Sequence, residues 1–124
     1  MNKKKILIID DDSRNIFALS AMLRSKGFDC LASHSAQDAI KLLNGGEQVD
    51  AVLLDMMMPG MDGYEAMPEI KSIGKRKPMP VLAVTAQAMT GDREKCLAAG
   101  ADEYISKPID VDRLLNILAR YNVT

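Results

Sequence analysis

The chain has 124 residues and a mass of 13.6 kDa, enough for one domain with a real core and too little for two ordinary ones. Sixteen Lys and Arg stand against seventeen Asp and Glu, a formal net charge of −1, which speaks against a dedicated nucleic-acid binder; 48% hydrophobic and 27% charged residues exclude a disordered polymer. No apolar run nears the ~20 residues that span a bilayer, Asp10-Asp11-Asp12 interrupts any signal-peptide core after Lys3-Lys4-Lys5, and Cys30 and Cys96 lie far apart with no metal spacing, so a cytoplasmic protein without membrane insertion is expected.

Lys5-Ile-Leu-Ile-Ile9 is a continuous apolar run, as expected of a strand buried on both faces. From Ser13 to Lys26 the apolar residues Ile16, Phe17, Leu19, Ala21, Met22 and Leu23 recur at helical spacing, and Gly27 supplies the stop. Asp29 to Ser33 reads as a short strand. Ser35 is the expected N-cap of a second helix, with Ala39, Ile40, Leu42 and Leu43 as its buried stripe and Asn44-Gly45-Gly46 as its end. Asp50 to Leu54 is a second apolar strand running into Asp55, followed by a loop from Met56 to Gly63 broken by Pro59, Gly60 and Gly63. A third helix is predicted from near Asp62 to about Ile73. Pro68 sits inside it, where no N–H is available for the Tyr64 carbonyl and the helix should bend. Residues 74–78 read as a loop, and Pro80 to Val84 as a strand ending at Thr85. Thr90 is the expected cap of a fourth helix that stops at Gly100. Tyr104 to Ser106 is a short strand ending at Lys107-Pro108, and Asp110 caps a last helix whose Val111, Leu114, Leu115, Ile117 and Leu118 face inward.

This alternation is a (βα)5 pattern. It predicts an α/β fold: a doubly wound, parallel, five-stranded sheet with helices on both faces, forming one domain over residues 1–124 with no repeat or linker. The strand ends carry the chemistry. Strand one ends at Asp10-Asp11, strand three at Asp55, strand four at Thr85 and strand five at Lys107. In an open parallel sheet these carboxyl ends share one edge, where ligands bind at the topological switch point. Acids after a strand are commonly turn or cap residues, and a lone lysine there is commonly a solvated one. Acids at two adjacent strand ends with a lysine at a third lack that ordinary account. Three like charges held together repel, and a divalent cation with hard-oxygen preference relieves them; Mg2+ takes only one or two direct carboxylates. Three aspartates against Mg2+ and Lys107 bring the site near neutrality. One carboxylate is then able to attack phosphorus while metal and lysine steady the phosphoryl oxygens.

The four motifs Ile6-Leu-Ile-Ile-Asp-Asp-Asp12, Leu53-Leu-Asp-Met-Met-Met-Pro-Gly-Met-Asp-Gly63, Val84-Thr-Ala86 and Tyr104-Ile-Ser-Lys-Pro108 cover essentially the whole chain. With them it resembles the receiver domain of two-component response regulators, a CheY-like, flavodoxin-like fold with strand order 2-1-3-4-5. The resemblance implies that Asp55 accepts a phosphoryl group from the phosphohistidine of a histidine kinase or histidine phosphotransfer protein. It implies Asp11 as a direct Mg2+ ligand (Mn2+ being an alternative ion), Asp10 as its acidic neighbour acting mostly through water, and the Met57 carbonyl as a backbone ligand. Lys107 would pair with phosphoryl oxygens, Thr85 would be the switch hydroxyl and Tyr104 the aromatic that follows it. A cis Lys107-Pro108 bond is also implied. Phosphorylation would shift a population between two states, read out by a downstream protein on the face of helix 4, strand 5 and helix 5.

Several features stand apart from these motifs. Seven of the nine methionines lie between Met56 and Met89, and flexible filler of core and loop is the plain account of them. Met57 and Gln87 lie two residues past Asp55 and Thr85, positions that in this family flank the path of the hydrolytic water. Lys71, Lys75, Arg76 and Lys77 read as a solvated basic loop, since no aromatic residue interleaves them. His34 has no second histidine to pair with. The rival function is a phosphohydrolase that forms an aspartyl phosphate on small phosphate esters. Asp55-Met-Met lacks the second acid two residues on that such chemistry would use for proton transfer. A receiver that fills all 124 residues is expected to carry no output domain. It is expected to be a monomer or a weak phosphorylation-dependent dimer, either free-standing or the receiver of a hybrid sensor histidine kinase, without direct nucleic-acid contact.

Overall fold

The computed structural model describes residues 3–73, 79–86 and 91–124. Ten elements alternate along the chain: β1 (Lys5–Ile9), α1 (Ser13–Ser25), β2 (Asp29–Ser33), α2 (Ala36–Asn44), β3 (Ala51–Asp55), α3 (Gly63–Ile73), β4 (Val81–Thr85), α4 (Asp92–Ala98), β5 (Glu103–Ser106) and α5 (Val111–Arg120). The strands form one sheet in the order β2-β1-β3-β4-β5, and every neighbouring pair is parallel. This is the expected doubly wound α/β arrangement. The middle strands are buried on both faces, which is why they read as unbroken apolar runs rather than alternating ones.

Alternate residues of each strand feed two cores. Leu7, Ile9, Val52, Leu54, Val81 and Ala83 pack with α2, α3 and Cys96 of α4. Ile6, Ile8, Leu53, Leu82, Val84 and Ile105 pack with α1 and α5. The sheet is therefore covered on both sides, and its carboxyl edge is where polar chemistry collects. Among the described residues, no helix is long and apolar enough to cross a membrane.

Capping follows the sequence at α2 and α5, and Asp12 adds a cap at α1. Asp12 accepts from the Arg14 and Asn15 N–H groups at the start of α1, Ser35 from Asp38 N–H at α2, and Asp110 from Arg113 N–H at α5. The fourth helix differs from expectation. Its N-cap residue is Gly91, at φ 92° and with no side-chain cap bond; Thr90 lies outside the described residues, as does the expected loop 74–78. Strand limits shift by one residue at β3, β4 and β5, because the apolar runs mark burial while the ladder hydrogen bonds extend one residue further.

The helix stripes are narrower than the sequence suggests. Phe17 is 78% exposed and Ala21 is exposed, whereas α1 buries Ile16, Leu19, Ser20 and Leu23. These four sit at i, i+3, i+4 and i+7, and Phe17 is rotated about 100° off that line. Leu42, Val111 and Leu115 are half-buried at the margins of their stripes. Pro68 is indeed inside α3, on its exposed side. Among the described methionines, Met56, Met58, Met67 and Met79 are buried and Met57 is the exposed one.

Candidate functional site

The carboxyl edge brings Asp10, Asp11 and Asp55 together, with one oxygen of each within 4.8 Å of the others. β1 pairs with β3 so that Ile9 lies beside Leu54, and the next residues, Asp10 and Asp55, emerge as neighbours. Asp10 is 3% and Asp55 5% exposed, whereas Asp11 is exposed. Successive side chains leave an extended segment on opposite sides, so one acid of the Asp10-Asp11 pair turns inward and the other outward.

Lys107 enters from the end of β5. Its Nζ lies 3.1 Å from Asp10 Oδ2 and 3.3 Å from Asp55 Oδ2, so one ammonium bridges the two buried acids. Its backbone N–H donates to the Thr85 carbonyl at 2.8 Å, tying the lysine to the end of β4, and the Lys107-Pro108 bond is cis as expected. Thr85 is buried at that strand end. The Met57 N–H donates to Asp55 Oδ1 at 3.0 Å, while the Met57 side chain stands 51% exposed beside the site. Tyr104 is half-buried on β5 and packs against the α2–α3 core.

The two buried acids differ in electrostatics. Burial alone pushes Asp10 up, but hydrogen bonds from Asp12 N–H, Asn15 and Lys107 outweigh it and hold its carboxyl below the usual range. Asp55 is raised, because burial outweighs the Met57 N–H and Lys107 contributions and Asp10 adds repulsion. At Lys107 burial opposes the charge, yet the hydrogen bond to Asp10 and the attraction of both acids hold the ammonium above its ordinary value.

Three contributors escaped the sequence reading. The Asn15 amide donates to Asp10 Oδ2 at 2.6 Å, five residues along the chain, and nothing in its residue type announces this. Gly63 packs so closely under the loop that a Cβ there would lie 2.6 Å from Met56 Cα and 3.1 Å from the Asp55 carbonyl; the sequence marks it only as a breaker. Glu103 is a buried acid on β5 with Arg93, Arg113 and Arg120 at 3.9, 3.9 and 3.6 Å, and Arg113 also donates to the Tyr104 carbonyl at 2.7 Å.

The donor set is hard carboxylate oxygen crowded at one point, the chemistry that suits a small divalent cation. A family description, "Response regulator receiver domain", matches residues 6–119. The chain is 37% identical to the sensor histidine kinase RcsC of Salmonella typhi over 116 residues, covering 94% of this chain and 12% of that protein. It is 36% identical to BarA, a signal transduction histidine-protein kinase of Escherichia coli strain K12, over 119 residues, again 94% of this chain and 12% of that protein. It thus spans about an eighth of these relatives' length. Among solved structures it matches the receiver domain of a sensor histidine kinase from Pseudomonas aeruginosa PAO1. That structure has a magnesium ion coordinated in its active-site cleft; the TM-score is 0.86 at 34% identity, over 99% of this chain and 100% of that one. CheY in a CheX-CheY-BeF3-Mg complex from Borrelia burgdorferi matches with a TM-score of 0.82 at 27% identity, over 95% of this chain and 89% of that one. A receiver is a phospho-acceptor signalling domain whose phosphoryl chemistry is performed on itself, not an enzyme turning over a separate substrate. The chain belongs to the response regulator receiver domain family.

Proposed function

We propose that Asp55 is the phosphoryl acceptor of this receiver and that the acidic cluster holds Mg2+. The observation that carries the reading is the Lys107 ammonium bridging Asp10 and Asp55 at 3.1 and 3.3 Å beside a third carboxylate. In the reaction an Asp55 oxygen attacks phosphorus, the new O–P bond forms, and the phosphorus–nitrogen bond of the donor phosphohistidine breaks, its electron pair staying on the imidazole. Of the two buried acids Asp55 has the less stabilised charge, which suits it to give up an electron pair.

Asp11 and Asp55 are the expected carboxylate ligands, with Asp10 acting through water and the Met57 carbonyl completing the protein's share. When bound, the divalent cation neutralises the carboxylates and the phosphoryl oxygens. Lys107 moves its ammonium from the free acids to a phosphoryl oxygen, and Thr85 supplies a hydroxyl from the end of β4. Acyl phosphate at Asp55 carries more charge and three strong acceptors in place of one carboxylate. That change is what Thr85, Tyr104 and the α4–β5–α5 face would respond to.

The phosphoryl donor is a histidine kinase or histidine phosphotransfer protein, and a downstream protein reads the α4–β5–α5 face, with the receiver a monomer or a weak phosphorylation-dependent dimer. Intact-mass measurement after incubation with Mg2+ and acetyl phosphate tests the acceptor. One added phosphate, absent in Asp55→Asn and without Mg2+, is expected. No adduct, or an adduct that survives Asp55→Asn, would remove Asp55 from this role.

A further inference from the structure

We propose that Asn15 is a positioning residue for phosphoryl transfer: its side-chain amide holds Asp10 in place so that Lys107 can leave Asp10 for the phosphoryl group. This rests on the reading of Asp55 as acceptor and Lys107 as partner of the phosphoryl oxygens.

The geometry around Asp10 is a contest between donors. Oδ1 accepts from the Asp12 N–H at 2.9 Å. Oδ2 accepts from both Asn15 Nδ2 at 2.6 Å and Lys107 Nζ at 3.1 Å, so the neutral amide makes the shorter bond and the ammonium the longer. An ionised carboxylate only accepts, which fixes the Asn15 amide with its nitrogen toward Asp10. Asp10, Asn15 and Asp55 line one recess at the sheet edge.

Asp10 is 3% exposed, and a buried carboxylate stripped of its ammonium is costly unless other donors remain. With Asn15 in place, both Asp10 oxygens keep a donor after Lys107 departs: the Asp12 N–H on one and the Asn15 amide on the other. Asn15 is itself fixed. It lies in the first turn of α1, whose N-cap Asp12 accepts from the Arg14 and Asn15 N–H groups at 2.9 and 3.4 Å. Asp12 thus caps the helix with its side chain and holds Asp10 with its backbone N–H. Among the described residues Lys107 is the other side-chain donor to Asp10, so without the amide its release would leave Oδ2 bare.

The test uses beryllofluoride, a phosphoryl mimic, titrated into the whole chain at saturating MgCl2, with Mg2+ affinity measured separately by NMR. Asn15→Ala and Asn15→Leu remove the donor with and without loss of side-chain volume, and Arg14→Ala, a neighbour with an exposed side chain, is the control. Both Asn15 variants should weaken beryllofluoride binding about tenfold, the scale of a lost hydrogen bond to a charged group, and weaken Mg2+ binding less. In the unmodified chain the Asn15 side-chain amide resonances should keep their hydrogen-bonded shifts when beryllofluoride binds, while the Lys107 ammonium resonance moves. Beryllofluoride affinity within about twofold of wild type in a folded Asn15 variant, or Asn15 resonances that turn to free-amide values in the bound state, would overturn the proposal. Failure of the wild-type chain to bind beryllofluoride, or equal binding by Asp55→Asn, would instead overturn the acceptor reading beneath it.

Discussion

Two isosteric substitutions at the acidic edge should move stability in opposite directions. Asp55 has one oxygen within 4.8 Å of both Asp10 and Asp11 and an ammonium 3.3 Å away. At an effective dielectric near 20, each like charge at that separation repels by about 3.5 kcal/mol, and the lysine attracts by about 5 kcal/mol. The balance is repulsive by about 2 kcal/mol, reduced by the solvent screening of exposed Asp11 and increased by the burial of Asp55. Asp55→Asn removes that charge and keeps an oxygen for the Met57 N–H; its NH2 then faces Lys107, whose ammonium retains Asp10 as its partner. It should stabilise the metal-free fold by about 1–2 kcal/mol, or roughly 4–8 °C in Tm for a chain of this size. Asp10→Asn is the opposite case. Both oxygens of Asp10 already accept, one from the Asp12 N–H and the other from Asn15 and Lys107, so an amide NH2 must face one of these donors. A loss of about 2 kcal/mol is expected. The assay is thermal unfolding in EDTA at neutral pH. Lowering the pH should narrow the gap between wild type and Asp55→Asn. Asp55 has a raised folded value, so the penalty of its charge is present above that value and is relieved as pH falls through it. Asp10 is held low, so its contribution is present above the unfolded value and is lost as pH falls through the folded one. A Tm for Asp55→Asn at or below wild type, or shifts of the same sign for both variants, would refute the electrostatic reasoning.

Gly63→Ala should be costly, because the added Cβ meets backbone as well as the Met56 sulfur; a loss of about 2 kcal/mol or more in urea unfolding is expected, together with weaker Mg2+ binding as the Asp55-Met57 loop shifts. Pro68→Ala restores an N–H within α3 at an exposed position and should stabilise by about 1–3 kcal/mol, read as a higher urea midpoint with an unchanged slope. We also propose that the half-exposed Met57 side chain beside Asp55 hinders the water that hydrolyses the acyl phosphate. Met57→Asn should therefore speed phosphate release from the acetyl-phosphate-loaded chain, by up to about tenfold; an unchanged release rate would count against that role.

How far the site could be read in advance depends on the distance over which each contact acts. Parallel strands buried on both faces announce themselves as apolar runs, and the residue that ends each run sits at the carboxyl edge by topology alone, so Asp10, Asp55, Thr85 and Lys107 were legible from spacing. Caps were legible where the capping side chain acts three residues on, as Ser35 and Asp110 do, and not at α4, whose start rests on the Gly91 backbone. Phe17 was misjudged because helical recurrence was counted without fixing its phase, and buried Ser20 takes the place on the stripe. The acid pair shows the limit most clearly. Adjacent residues on an extended segment must point to opposite sides, so the sequence implies one acid inward and one outward without saying which. The choice falls to donors elsewhere, the Asn15 amide one helix turn away and the Lys107 ammonium at the far end of the chain. Both reach the same oxygen of Asp10. A carboxylate that finds them can afford to be buried, and Asp11, left in solvent, is the one that remains open to a cation.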